Sequence, residues 1–189
     1  MDHKYEINKF KMNILIMFSL ILLVIGCSES EEINKVSMEK FTDNGNIYSI
    51  ENFLDSGFKI NKEYDVSKLP ESKGVYYGFW KNNAAKAIDI EVRIYSSHQR
   101  AIDSGIPYVE EVIGEEAILK KSESSWNEGI QDRRTRSDGS YAGSSANTVR
   151  AKYIDYIVFG NSIILCTGLD LNYARQNCSD LANSLKNNP

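Results

Sequence analysis

The 189-residue chain is poor in the residues that most chemistry needs: it has two histidines and three cysteines. One histidine falls within the first 26 residues, so His98 is the only one in the rest of the chain. A histidine-based metal centre needs more ligands than that. The sequence has no H-E-x-x-H, no C-x-x-C, no Walker loop, no Rossmann glycine pattern and no G-x-S-x-G elbow. These absences remove zinc proteases, dithiol redox enzymes, P-loop and dinucleotide-binding proteins and α/β-hydrolases from the list of functions. No metal and no cofactor are implied. There is no basic excess either: 22 Lys and Arg stand against 26 Asp and Glu, a net charge of −4. That balance argues against nucleic acid and against direct adhesion to an anionic bilayer. The apolar run Ile14 to Ile25 is broken only by Ser19. It makes about 18 Å of helix, too short for a hydrocarbon core of about 30 Å.

The N-terminus reads as a processing signal. Lys4, Lys9 and Lys11 form a positive region, the short apolar run follows, and Val24-Ile25-Gly26-Cys27 closes it. This boundary resembles the lipobox of bacterial lipoproteins. A small residue before the cut lets a peptidase reach the backbone, and the Cys27 thiol accepts a thioether-linked diacylglycerol. The resemblance implies a signal peptide over 1–26 and a lipidated Cys27 as the mature N-terminus. It also implies an address in the bacterial cell envelope. Ser28 then implies sorting to the outer membrane, facing the periplasm, in a cell that has one; otherwise the anchor lies in the outer face of the plasma membrane. Two or three acyl chains hold stably, at about 0.8 kcal/mol per buried methylene. The alternative is a short uncleaved anchor with an incidental cysteine.

After the signal, 19 Lys and Arg face 24 Asp and Glu, because residues 1–26 carry three of the former and two of the latter. Residues 27–46 are polar and end in Asn-Gly-Asn, which predicts a lipidated N-terminus and flexible tether, with Phe41 able to dock on the domain. Residues 47–189 are the size of one domain with one core.

Within that domain, Ser49 caps a short helix and Gly57 ends it. "GVYYGFW", 74–80, reads as a strand. In "KAIDIEVRIY" Ile88, Ile90, Val92 and Ile94 face one way and Asp89, Glu91 and Arg93 the other, which predicts one buried and one wet face. A helix runs from Ser96 or Ser97 to about Ile113, kinked or split by Pro107. A strand lies around Ile130–Arg136, and "VRAKYIDYIVF" and "SIILCTG" make two more, joined by a Gly160-Asn161 hairpin. Asp170 or Asn172 caps a last helix with Leu171, Ala174, Cys178, Leu181, Ala182 and Leu185 on one face. The sum is a single α+β domain: an antiparallel sheet of about four or five strands with helices packed mainly on one face.

The candidate sites follow from this arrangement. Cys166 lies roughly 7–10 Å back along its strand from the turn near 169–172. Cys178 lies roughly 9–10 Å along the returning helix. The depths match, and an oxidising compartment favours a Cys166–Cys178 disulfide over two buried thiols. Tyr76, Gly78 and Trp80 share a strand face, so Tyr76 and Trp80 form either core or an aromatic platform for a sugar ring or apolar ligand. Arg133, Arg134 and Arg136 precede the small, polar stretch 137–147, "SDGSYAGSSAN"; together they suit an anionic ligand or an acidic partner surface, unless nearby Asp132 and Asp138 quench them. That stretch has little apolar area to offset its ordering cost and is expected to be mobile. The leading function is a membrane-anchored, non-enzymatic envelope lipoprotein whose domain binds an unknown protein or small molecule. The alternatives are an envelope hydrolase with a site around His98 and Asp103, or a purely structural module.

Overall fold

The computed structural model describes residues 38–136 and 148–186. Cys27 and the 137–147 stretch lie outside the described residues. The strands are β1 (Phe41–Thr42), β2 (Lys59–Tyr64), β3 (Ser72–Lys81), β4 (Ala87–Tyr95), β5 (Arg134–Arg136), β6 (Val149–Ala151), β7 (Asp155–Phe159) and β8 (Ser162–Cys166). The helices are α1 (Ile50–Asp55), α2 (His98–Arg100), α3 (Ile106–Glu110) and α4 (Leu171–Lys186), with a π turn, Ala101–Gly105, between α2 and α3.

The local signals act as their chemistry demands. Asp170 is the cap of α4: its carboxylate accepts from Tyr173 N at 2.8 Å. Gly57 ends α1 with a positive φ of 92°. Gly57 N donates to Leu54 O at 2.9 Å and Phe58 N to Phe53 O at 3.0 Å, a Schellman closure sealed by the edge-on Phe53–Phe58 contact. Pro107 has no N–H to give and its ring crowds the preceding turn. The chain answers by widening to the π turn just upstream. Gly160 and Asn161 close the β7–β8 hairpin, with Phe159 opposite Ser162 and Gly160 at φ 53°.

The main sheet runs β1-β7-β8-β4-β3-β2. It has six strands, not the four or five that the pattern predicts, and it is mixed because β1 runs parallel to β7. Both extra strands are edges. β2 comes from the stretch between the Gly57 helix end and the 74–80 strand, where no strand is expected because nearly all of its residues are exposed. β1 comes from the segment read as tether: Phe41 pairs with Val158 and meets Tyr156 edge-on. Lys40 Nζ bonds Asp155 at 2.9 Å. The folded domain therefore begins by Met38 rather than at 47. A second, two-stranded ribbon pairs β5 with β6.

α1 and α4 pack on one face of the main sheet. Phe53, Ala174, Cys178, Leu181, Ala182 and Leu185 meet Ile90, Val92, Ile94, Ile157, Phe159 and Ile164 there. Each such aliphatic side chain contributes about 1.5–3 kcal/mol on full burial. Leu171 departs from the expected stripe and is 46% exposed. The other face is also covered: Ala101, Val109, Val112, Ile130 and Tyr153 pack over Tyr95, Tyr156, Val158, Ile163 and Leu165. Cys166 and Cys178 form the disulfide, with Cα atoms 5.6 Å apart, tying α4 to β8.

Candidate functional site

The β4 residues expected on a wet face are core residues. Glu91 and Arg93 are both 0% exposed. The cover is the segment after α3, which lays Trp126 and Arg133 across the sheet. Trp126 Nε1 donates to Asp65 O at 3.3 Å and so ties the cover to the loop before β3. Beneath it, Arg93 Nε donates to Glu91 Oε1 at 2.9 Å. Arg133 Nε donates to Glu91 Oε2 at 2.8 Å and its Nη2 to Oε1 at 3.0 Å. Its Nη1 reaches Glu128 O at 2.7 Å. Both guanidiniums stack against Trp126, their carbons 5.0 and 4.5 Å from the ring centroid. Burial pushes the Glu91 carboxyl up, but Arg133 and Arg93 outweigh it and hold it below the usual carboxylate range. Burial likewise lowers Arg93, against the pull of Glu91.

This corrects one candidate. Arg133 is a fully buried ion-pair member, not a ligand-facing cation. The side chain is consumed, yet it has a positional role: Arg133 O accepts from Lys152 N at 2.8 Å, extending the ribbon ladder to the anchored residue.

Arg134 and Arg136 do meet in space. They line a polar cleft of about 640 Å³ together with Asp89, Gln131, Thr135, Val149 and Lys152. Residues two apart on a strand share a face, which brings the two arginines to one wall. Arg134 Nη1 donates to Gln131 Oε1 at 2.9 Å. The opposite wall is the sheet itself. Tyr77 Oη donates to Asp89 Oδ1 at 2.7 Å, and Lys152 Nζ lies 3.2 Å from Tyr77 Oη and 3.4 Å from Asp89 Oδ2. Lys152 also sits 4.6 Å over the Tyr77 ring. Burial and the Asp89 hydrogen bond raise the Tyr77 hydroxyl, which stays protonated. Among the described residues three cationic side chains thus face one carboxylate, and that carboxylate already serves Tyr77 and Lys152. Lys152 and Asp89 were not legible as partners from the sequence; a lysine following a strand-like "VRA" carries no signal of its own.

Tyr76 and Trp80 are separated by function as well as position. Trp80 is 6% exposed and its Nε1 donates to Ser56 O at 3.0 Å, so it is core. β2 pairs alongside the strand and presses in at Gly78, where a Cβ would come within 2.1 Å of Lys59 O and 2.9 Å of the Phe58 ring. The aromatic face is therefore covered there and is not a continuous platform. Tyr76 is half-buried and lines a separate hollow of about 390 Å³ with Tyr48, Ile50 and Ile94, rimmed by Glu51 and Lys73. Its ring lies across Gly74, where a Cβ would meet Tyr76 Oη at 2.6 Å.

His98 does not build a hydrolytic triad with Asp103. Its Nδ1 lies 2.7 Å from Gly160 O, and Asp103 Oδ1 accepts from Gln99 Nε2 at 2.8 Å. Among the described residues no group of three or more His, Cys, Asp or Glu is placed to hold a metal ion. No helix among them is long and apolar enough to cross a membrane.

No curated protein and no solved structure matches the chain. One family does match, over residues 49–187, from the cap of α1 to the end of α4. That segment holds the disulfide, the buried ion cluster and the cationic cleft, and the chain belongs to the family described as Family of unknown function (DUF6810).

Proposed function

We propose that this chain is a lipid-anchored protein of the bacterial envelope whose domain binds an anionic group, without catalysis, in the Arg134–Arg136–Lys152 cleft. The address rests on the ordered Lys-rich region, the short apolar run and the lipobox-like Val24-Ile25-Gly26-Cys27. The binding role rests on one observation: a polar cleft that, among the described residues, carries three cations and one carboxylate. Arginine forks recognise carboxylate and phosphate edges in two bonds at once, and two arginines on one wall define an orientation. The Glu91–Arg133 pair fixes the start of β5 to the sheet, so the wall is preorganised and a ligand need not order it. A Cys27 lipid would hold the cleft near the membrane surface, suited to capturing an envelope solute or an acidic patch on a neighbour.

The test is titration of the purified chain with sodium phosphate and, separately, with a short polyglutamate peptide, read by backbone amide shifts around β5 and β6. Saturable shifts centred on Arg134, Arg136 and Lys152 support the reading. Charge-assisted bonds are worth about 1.5–3 kcal/mol each. Losing both, about 3 kcal/mol or more, by replacing Arg134 and Arg136 with Ala should therefore weaken binding by at least about a hundredfold. No saturable shift with either probe, or the same affinity in the double variant, would refute it.

A further inference from the structure

Among the described residues the core cluster around β4 is short of one negative charge. Two guanidiniums face one carboxylate, and the Glu91, Arg93 and Arg133 side chains are all 0% exposed. Arg133 is engaged by Glu91 and by the Glu128 carbonyl. Arg93 is engaged only through Nε; among the described residues nothing accepts from its Nη1 or Nη2. Tyr95, two residues further along the same strand face, lies directly beside Arg93, whose charge and a poorly aligned side-chain contact both act on its hydroxyl. Among the described residues its hydroxyl, too, is buried without a well-aligned hydrogen-bond partner. The other carboxylates of this region are occupied, Asp89 by Tyr77 and Lys152, and Asp132 by Lys62 and Tyr64.

The Tyr153 hydroxyl is likewise buried without a partner among the described residues, but it carries no charge, and other interior polar groups are satisfied. Asn161, for instance, is buried and makes three good bonds, accepting from Tyr48 N and donating to Tyr48 O and Tyr95 O. A buried charge with its donors unmade is among the costliest defects a core can carry. A guest that removes it must accept hydrogen bonds, carry negative charge and be small, because Arg93 offers no opening to solvent.

We propose that Arg93 Nη1 and Nη2, with the Tyr95 hydroxyl, hold one small inorganic anion of the chloride type in the core under Trp126. The guanidinium edge presents two parallel donors to a single ion. Trp126 covers Arg93 from the solvent side, its ring centroid 5.0 Å from the guanidinium carbon. A water would answer the hydrogen-bonding need but leave the charge unbalanced. This site is independent of the cleft at Arg134 and Arg136.

Crystals of the full chain grown with sodium bromide in place of chloride give the decisive measurement. An anomalous bromide peak within hydrogen-bonding reach of Arg93 Nη1 or Nη2 is the expected result. A water there without anomalous signal, or bromide found on the surface only, overturns the proposal. In solution, the thermal midpoint of the full chain should rise by about 5–10 °C over a hundredfold range of chloride above the dissociation constant. The comparison holds ionic strength constant with sodium gluconate. Arg93→Met should abolish that rise; an equal rise in Arg93→Met would count against the site. Where that variant does not fold, the bromide map on the unaltered chain still decides.

Discussion

Replacing Glu91 by Gln tests whether the buried cluster organises the second face of the sheet. The substitution keeps the shape and removes the charge shared by Arg93 and Arg133. Three hydrogen bonds of 2.8–3.0 Å to a carboxylate are lost or weakened. Two guanidiniums stay buried without their carboxylate partner. Removing one partner of a buried pair costs about 3–5 kcal/mol, against a total stability of about 5–15 kcal/mol for a domain. With a urea slope near 2 kcal/mol/M, the midpoint should fall by about 1.5–2.5 M at neutral pH. The pH dependence gives a second reading. In the fold Glu91 is held below its ordinary value of 4.5. Its contribution is therefore complete above the unfolded value and lost as pH falls through the folded one. The gap between the native chain and Glu91→Gln should shrink steadily below about pH 4.5 and be unchanged between pH 6 and 8. The companion variant replaces Glu91 by Leu and both Arg93 and Arg133 by Met. Removing every charge of the cluster should recover most of the loss, since apolar residues of similar volume often match a buried ion pair. A midpoint shift below about 0.5 M for Glu91→Gln, with no change of the gap in acid, would show that the ion pair is not what holds the cover down.

Three further outcomes are expected. Replacing Cys166 and Cys178 together by Ala should cost about 2–3 kcal/mol, because the bond closes a short loop between β8 and α4; a melt unchanged by the double substitution or by reductant would deny the bond a stabilising role. Gly78→Ala should cost about 1–3 kcal/mol and loosen β2 first, since the new Cβ would press on the Lys59 carbonyl; amide exchange across Lys59–Tyr64 reads this directly, and protection equal to the native chain would contradict it. Cys27→Ser should leave an unprocessed precursor and abolish incorporation of labelled fatty acid; normal processing and labelling in that variant would remove the envelope anchor from the proposed function.

What could be read from the sequence, and what could not, divides along the range of the interactions. The Gly160–Asn161 hairpin, the Asp170 cap, the Gly57 terminus and the Pro107 break are each decided within a few residues, and each is where the pattern puts it. The disulfide was legible because strand and helix rise fix two depths from a common turn. β2 was not, because "KINKEY" has neither a steady alternation nor a buried face; it pairs only because β3 offers an edge and Gly78 lets the Lys59 carbonyl approach. The failure at β4 is more instructive. Alternation correctly separates Ile90, Val92 and Ile94 from Glu91 and Arg93, but period two says only which residues share a face, not whether a cover lies over it. Here the cover is an irregular segment whose apolar residues, Trp126 and Ile130, are scattered through polar sequence with no period to detect. The charge that makes Glu91 tolerable in a core comes from Arg133, 42 residues away. A polar strand face therefore has two readings, wet or ion-paired under a lid. An arginine set between aliphatic neighbours, with an isolated tryptophan waiting in an otherwise polar loop, is the combination that should tip the choice toward the second.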